Sequence, residues 1–79
     1  MTNFQAEILR LNETAAASPD AKSLLYETLR LLDDSKKSHP RQIIADLLSL
    51  TLLNLSRVSP TLSAVSLLSR TFEISDCPE

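Results

Sequence analysis

Few residues in this chain are of the types that catalysis or metal binding needs. There is one histidine, His39, and one cysteine, Cys77. Nucleophilic mechanisms want a serine or cysteine within reach of a base. His39 lies in a turn beside Pro40 and Cys77 in a polar tail, so the two make no convincing pair. Metal binding wants several His, Cys or carboxylate ligands converging. The nearest approach is Asp33-Asp34, which sits next to Lys36 and Lys37 and reads as a solvated surface pair. Glycine is absent, which removes the standard glycine-rich phosphate loops. These residues point away from an enzyme, and towards a protein with no cofactor and no metal.

The only basic cluster is KKSHPR, residues 36–41. It carries Lys36, Lys37, His39 and Arg41, a set that can meet an acidic protein surface or anionic lipid head groups. The plainer reading is compensation of a helix dipole by cations at its end, followed by a soluble turn. The chain as a whole is mildly acidic, with eight Lys and Arg against ten Asp and Glu. A nucleic-acid binder normally shows a basic excess and aromatic platforms. Neither is present, since the aromatics are Phe4, Tyr26 and Phe72 alone. No nucleic-acid partner is expected.

The elements that must position the cluster are helical. The stretch 43–55, IIADLLSLTLLNL, has Ile, Leu or Ala at nine of thirteen positions and Asp46 as its only charge. At 100° per residue its apolar side chains cover far more than the stripe a surface helix needs. Gln42, Asp46, Ser49 and Arg57 leave one narrow polar line, which Leu53 interrupts. A helix this apolar must be surrounded by neighbours. It is also shorter than the roughly 20 residues of a membrane span. The start, MTNFQAEILR, is amphipathic and lacks the apolar run of a secretory signal. A single cysteine excludes an intramolecular disulfide, and the expectation is a soluble, cytoplasmic protein.

Pro19, Pro40 and Pro60 punctuate the chain, each after a polar residue. Proline is favoured at the first helical position, where its missing N–H would be unpaired anyway. Three helix starts follow, with a fourth near residue 3. The spacing predicts helices over 3–15, 19–35, 40–56 and 60–72 and a frayed tail over 73–79. Phe4, Ile8, Leu11 and Ala15 share one face of the first. Leu25, Thr28 and Leu32 form one line on the second. Leu62, Val65, Leu68 and Phe72 face one way on the fourth. Outward ion pairs are expected at Glu7–Arg10, Glu27–Arg30 and Asp33–Lys37. Short connections make consecutive helices antiparallel. The predicted fold is therefore a single all-α domain, an antiparallel up-down-up-down four-helix bundle. Topology then gathers Lys36, Lys37, His39, Arg41 and Arg70 at one pole as the candidate partner-binding residues.

Laid out this way, the chain resembles the immunity proteins of the pediocin-like (class IIa) bacteriocins, of the enterocin A immunity type. The resemblance lies in the order and spacing of FQAEILRL, the turn SPDAK, SLLYETLRLLDDSKK, PRQIIADLLSLTL and LSAVSLLSRTF, over about residues 4–72. That family tends to be lysine-rich with a longer tail, whereas this chain is acidic. The resemblance implies a cytoplasmic bundle that protects a bacterium from a pore-forming peptide. Its protein partner would be a mannose phosphotransferase permease with bound bacteriocin, approached from the inner face of the membrane, where peripheral contact with lipid is also conceivable. No residue-level motif carries over from the family. The residues alone leave two alternatives open. One is a small helical homodimer paired through the third helix; the other is a phage-type inhibitor of a host complex.

Overall fold

The computed structural model of the chain describes residues 3–60, 72 and 74–78. They form three α-helices, α1 (Asn3–Ala16), α2 (Ala21–Ser35) and α3 (Arg41–Val58), with 3₁₀ turns at Lys36–Ser38 and Ile74–Asp76. No strand occurs among the described residues, and the fold class is all-α. The predicted fourth helix, 60–72, lies almost wholly outside the described residues.

The helix ends follow from a chain without glycine. Among the described residues none has a positive φ, so no helix stops through the left-handed cap that glycine usually supplies. Instead α1 tightens into three-residue turns, with Ala17 N–H donating to the Thr14 carbonyl and Ser18 N–H to that of Ala15. The end of α2 does the same over a full 3₁₀ turn. At the end of α3, Ser59 turns to extended backbone, φ −133° and ψ 92°. That conformation is the one the following Pro60 favours in its neighbour.

The helix starts differ from the sequence expectation in one respect. Pro19 and Pro40 were expected as first helical residues, and both lie outside their helices. Pro40 is the N-cap of α3, at φ −57° and ψ 145°, and its carbonyl accepts from Ile44 N–H. Asp20 is the N-cap of α2. Its N–H donates to Ser18 Oγ at 3.1 Å, so Ser18 shapes the turn before the helix rather than capping the helix itself.

All three helices pack on one another. Phe4 of α1 meets His39, just before α3. Asn12, two turns further along α1, meets Thr51 and Asn54, about as far along α3. Hence α1 and α3 run parallel, and α2, joined to each by a short connection, runs antiparallel to both. The core has two clusters. Ile8, Leu32, Ile44, Leu47 and Cys77 fill the pole of the α2–α3 turn. Ala15, Ala21, Leu25, Leu29 and Leu55 fill the other. Half-buried Leu48 packs against both.

The predicted core line of α2 holds, with Leu25, Thr28 and Leu32 buried and Leu29 beside them. On α3 the buried positions are Ile44, Leu47, Thr51 and Leu55, while Ile43, Leu48, Leu50 and Leu52 are half-buried. Among the described residues the two large apolar side chains left exposed, Leu53 and Val58, are five residues apart. That is about 140° around a helix, so they do not form one stripe.

A polar layer divides the clusters. Asn12 is 3% exposed. Its Nδ2 donates to the Ile8 carbonyl at 3.0 Å and to Thr51 Oγ1 at 3.1 Å, and its Oδ1 accepts from Asn54 Nδ2 at 2.8 Å. Thr51 Oγ1 donates in turn to the Leu47 carbonyl at 2.9 Å. Among the described residues no buried side-chain nitrogen or oxygen lacks a partner. A satisfied network of this kind stabilises one alignment of α1 against α3, because sliding either helix would bury unpaired donors.

Candidate functional site

The basic turn is held from three sides. From α1, the Phe4 ring stacks on the His39 imidazole, with centroids 4.0 Å apart and planes 23° from parallel. From α2, the Ser35 carbonyl lies 3.0 Å from His39 Nδ1. A carbonyl can only accept, so this bond requires a proton on Nδ1. From the far end of the described chain, the Pro78 carbonyl accepts from Arg41 N–H at 2.8 Å. The first N–H groups of a helix have no partner within it, and α3 has no side-chain cap. The Pro78 carbonyl supplies what a capping side chain would.

Residues 74–78 of the tail expected to fray are therefore seated. Ile74–Asp76 is a 3₁₀ turn, closed by Cys77 N–H donating to the Ile74 carbonyl. Cys77 is 5% exposed and belongs to the core cluster with Ile8, Leu32, Ile44 and Leu47. Phe72 and Ile74 pack against the same cluster. Among the described contacts, two buried or half-buried side chains three residues apart, the Asp76 carboxylate on Lys36 and one backbone carbonyl hold the segment, too little pattern for composition to reveal.

The five sequence-predicted site residues fare differently. Lys36 is not a surface cation: its side chain is 12% exposed. Its Nζ lies 2.9 Å from Asp33 Oδ1, 3.7 Å from Asp76 Oδ2 and 5.5 Å from the Phe72 ring centre. Asp33 was expected to pair with Lys37. The 3₁₀ turn at Lys36–Ser38 tightens the chain so that the residue three along, Lys36, takes that place. The expected Glu7–Arg10 and Glu27–Arg30 pairs do not form among the described residues. Lys37 and Arg41 are exposed and His39 is half-buried. The structure brings Lys36, Lys37, His39 and Arg41 into one turn, and Arg70 lies outside the described residues.

Among the described residues no three His, Cys, Asp or Glu side chains are grouped to hold a metal. None of the described helices is long and apolar enough to cross a membrane. A groove of about 420 Å³ on the α1–α2 face is lined by Leu11, Leu24 and Leu31, with Glu27, Arg30 and Asp34 around them.

The sequence reading missed the strap formed by residues 74–78, and Asn12 and Thr51 in the core. Asn12 and Thr51 did carry a signal. Asn12 is four residues from Ile8 and three from Ala15, and Thr51 is four from both Leu47 and Leu55, so each falls on a buried face. No known protein family, curated protein or solved structure matches this chain.

Proposed function

We propose that this chain is a non-enzymatic helical binding protein whose α2–α3 turn engages a protein partner, and that it serves as an immunity protein of the pediocin-like type. One observation carries the binding reading. The backbone of the basic turn is fixed by Phe4, Ser35 and Pro78, while the Lys37 and Arg41 side chains stand at the surface. A loop held rigidly with its cations outward loses little conformational entropy on binding, and rim charges speed the encounter with an acidic surface.

The immunity reading rests on a resemblance to that family in the order and spacing of the sequence segments quoted above. It includes a fourth helix over 60–72 completing the antiparallel bundle. Two facts are consistent with that helix. The chain passes Pro60 beyond the end of α3, and Phe72 packs at the opposite pole, beside Ile44 and Lys36. The helix over 60–72 is read from the sequence of that segment. Its Leu62, Val65, Leu68 and Phe72 spacing suits a helix with one apolar face. The partner in this reading is a mannose phosphotransferase permease engaged by a bacteriocin, met from the cytoplasmic side.

The test is expression in a bacteriocin-sensitive strain, challenged with a panel of class IIa peptides. Protection against at least one peptide is expected, and it should be weakened by Lys37→Glu or Arg41→Glu in protein that stays folded. Sensitivity unchanged across the panel would remove the immunity reading. Protection indifferent to both charge reversals would remove the basic turn from it.

A further inference from the structure

We propose that a second copy of this chain docks on the α1–α3 face, forming a two-fold dimer in which Glu13 of each copy meets Arg57 of the other. This goes beyond the reading of the basic turn and does not depend on it. Phe4 and His39 mark the starting end of the parallel pair α1 and α3, whereas this face runs to Ala16 and Val58, the last residues of the two helices.

A shallow furrow lies between α1 and α3. Leu9, Glu13 and Ala16 border it from α1, spaced by four and three residues and so on one side of that helix. Leu50, Asn54 and Val58 follow every fourth residue along α3 and form one line there. Two hollows open along the furrow. One of about 300 Å³ runs from Leu9 and Leu50 to Ala16 and Asn54, and one of about 210 Å³ from Ala16 and Asn54 to Arg57 and Val58. Because they share Ala16 and Asn54, they form one continuous surface. Val58 is 43% exposed, and Leu9 and Leu50 are half-buried. Contiguous apolar side chains at a surface mark a place of contact. The small Ala16 at the shared point leaves room for a second helix, and Asn54 beside it is already held, its Nδ2 donating to Asn12 Oδ1 at 2.8 Å. A floor fixed before docking loses little entropy on binding.

The charges select the occupant. The furrow is rimmed by one acid, Glu13, and one base, Arg57, both exposed. The ion pairs of the described residues belong to Lys36, and Glu13 and Arg57 make none. A partner surface of one sign would attract one of them and repel the other. A second copy carries both signs at the right places. In a two-fold interface residue i of one copy meets j of the other and j meets i, so one rotation matches both charges twice. The furrow is about 12 Å long at 1.5 Å per residue, which puts the contact at the small end of specific interfaces. The dimer is therefore weak and forms with rising concentration.

Sedimentation equilibrium of the full chain over about a hundred-fold range of concentration should show the mass climbing from one chain towards two. Glu13→Arg and Arg57→Glu each set like charges against each other at both contacts. Either should weaken association by about two- to thirty-fold, the worth of two exposed pairs. Both positions are at the surface, so the variants should keep the fold, as far-UV circular dichroism checks. Mixed in equal amounts, the two variants should associate with each other about as well as the unaltered chain does with itself, since each then offers what the other lacks. A chain that stays monomeric over the whole range would overturn the dimer and leave the face to a different partner. Self-association indifferent to both reversals, or a mixture no heavier than its components, would overturn this face as the interface.

Discussion

Thr28 and Thr51 form a natural control pair for what the buried polar layer contributes. Both are fully buried. Each hydroxyl donates to the carbonyl four residues back, Thr28 to Leu24 at 2.8 Å and Thr51 to Leu47 at 2.9 Å. Only Thr51 also accepts from another helix, through Asn12 Nδ2. Thr→Val keeps the branched shape and exchanges the hydroxyl for a methyl. At position 28 this removes one hydrogen bond with a net worth of about 0.5–1.5 kcal/mol. The added apolar carbon returns about 0.8 kcal/mol on burial. Thr28→Val should therefore move stability by less than about 1 kcal/mol in either direction. Thr51→Val carries the same exchange and also strands one N–H of Asn12, which is 3% exposed. A buried donor left without a partner costs about 1–3 kcal/mol.

The difference between the variants, about 1–3 kcal/mol, is the cross-helix contribution. In a domain of this size each kcal/mol moves the thermal midpoint by about 4–8 °C. Thr51→Val should thus melt at least about 4 °C below Thr28→Val, followed by far-UV circular dichroism, with urea midpoints as a check. Adding Asn12→Leu to Thr51→Val should recover part of the loss. It removes the stranded N–H, and half-buried Asn54 can turn its amide towards water. Equal midpoints for the two threonine variants, or a double variant weaker than the sum of the singles, would show that the polar layer does not couple α1 to α3.

Three further outcomes follow from the packing. Leu47, 5% exposed, should cost about 2–5 kcal/mol on replacement by alanine. Leu53, 51% exposed on the same helix, should stay within about 0.5 kcal/mol; chemical denaturation of both variants checks the orientation of α3. The Phe4–His39 stack should give a coupling of about 0.5–1.5 kcal/mol in a double-alanine cycle, and a cycle that closes to zero would detach α1 from the basic turn. If α3 is not a dimer interface, light scattering should return a monomer mass that does not change with concentration, whereas a mass twice that of the chain would favour the homodimer.

What could be read in the sequence was what depends on side-chain repetition over several turns. The line Leu25, Thr28, Leu32 was legible, threonine included, because apolar neighbours three and four residues away fixed its face. Asn12 and Thr51 satisfy the same geometry, yet a reading that counts only apolar residues passes over them. Their burial depends on partners thirty-nine and forty-two residues apart in sequence. The strap was illegible for a different reason. EISDCPE is short and polar on average, and one of its main fastenings is the Pro78 carbonyl, a group every residue possesses. Pro19 and Pro40 mark the starts of α2 and α3 but stand one or two positions outside them, because α2 begins at a serine-shaped turn and α3 at an extended proline.

The basic pole shows how these two kinds of information combine. Lys36, Lys37, His39 and Arg41 lie together because they fall within six consecutive residues, and Arg70 lies outside the described residues. Counting charges overstates what that turn offers a partner. Lys36 is held between Asp33 and Asp76 over Phe72, and His39 lies against Phe4. A field of several like charges would steer any anionic surface, with strong dependence on salt. Two exposed cations among the described residues, on a backbone fixed from three sides, instead favour recognition by position. Binding at this pole should therefore fall off with added salt only shallowly, while depending steeply on the integrity of the strap and of the Phe4 stack.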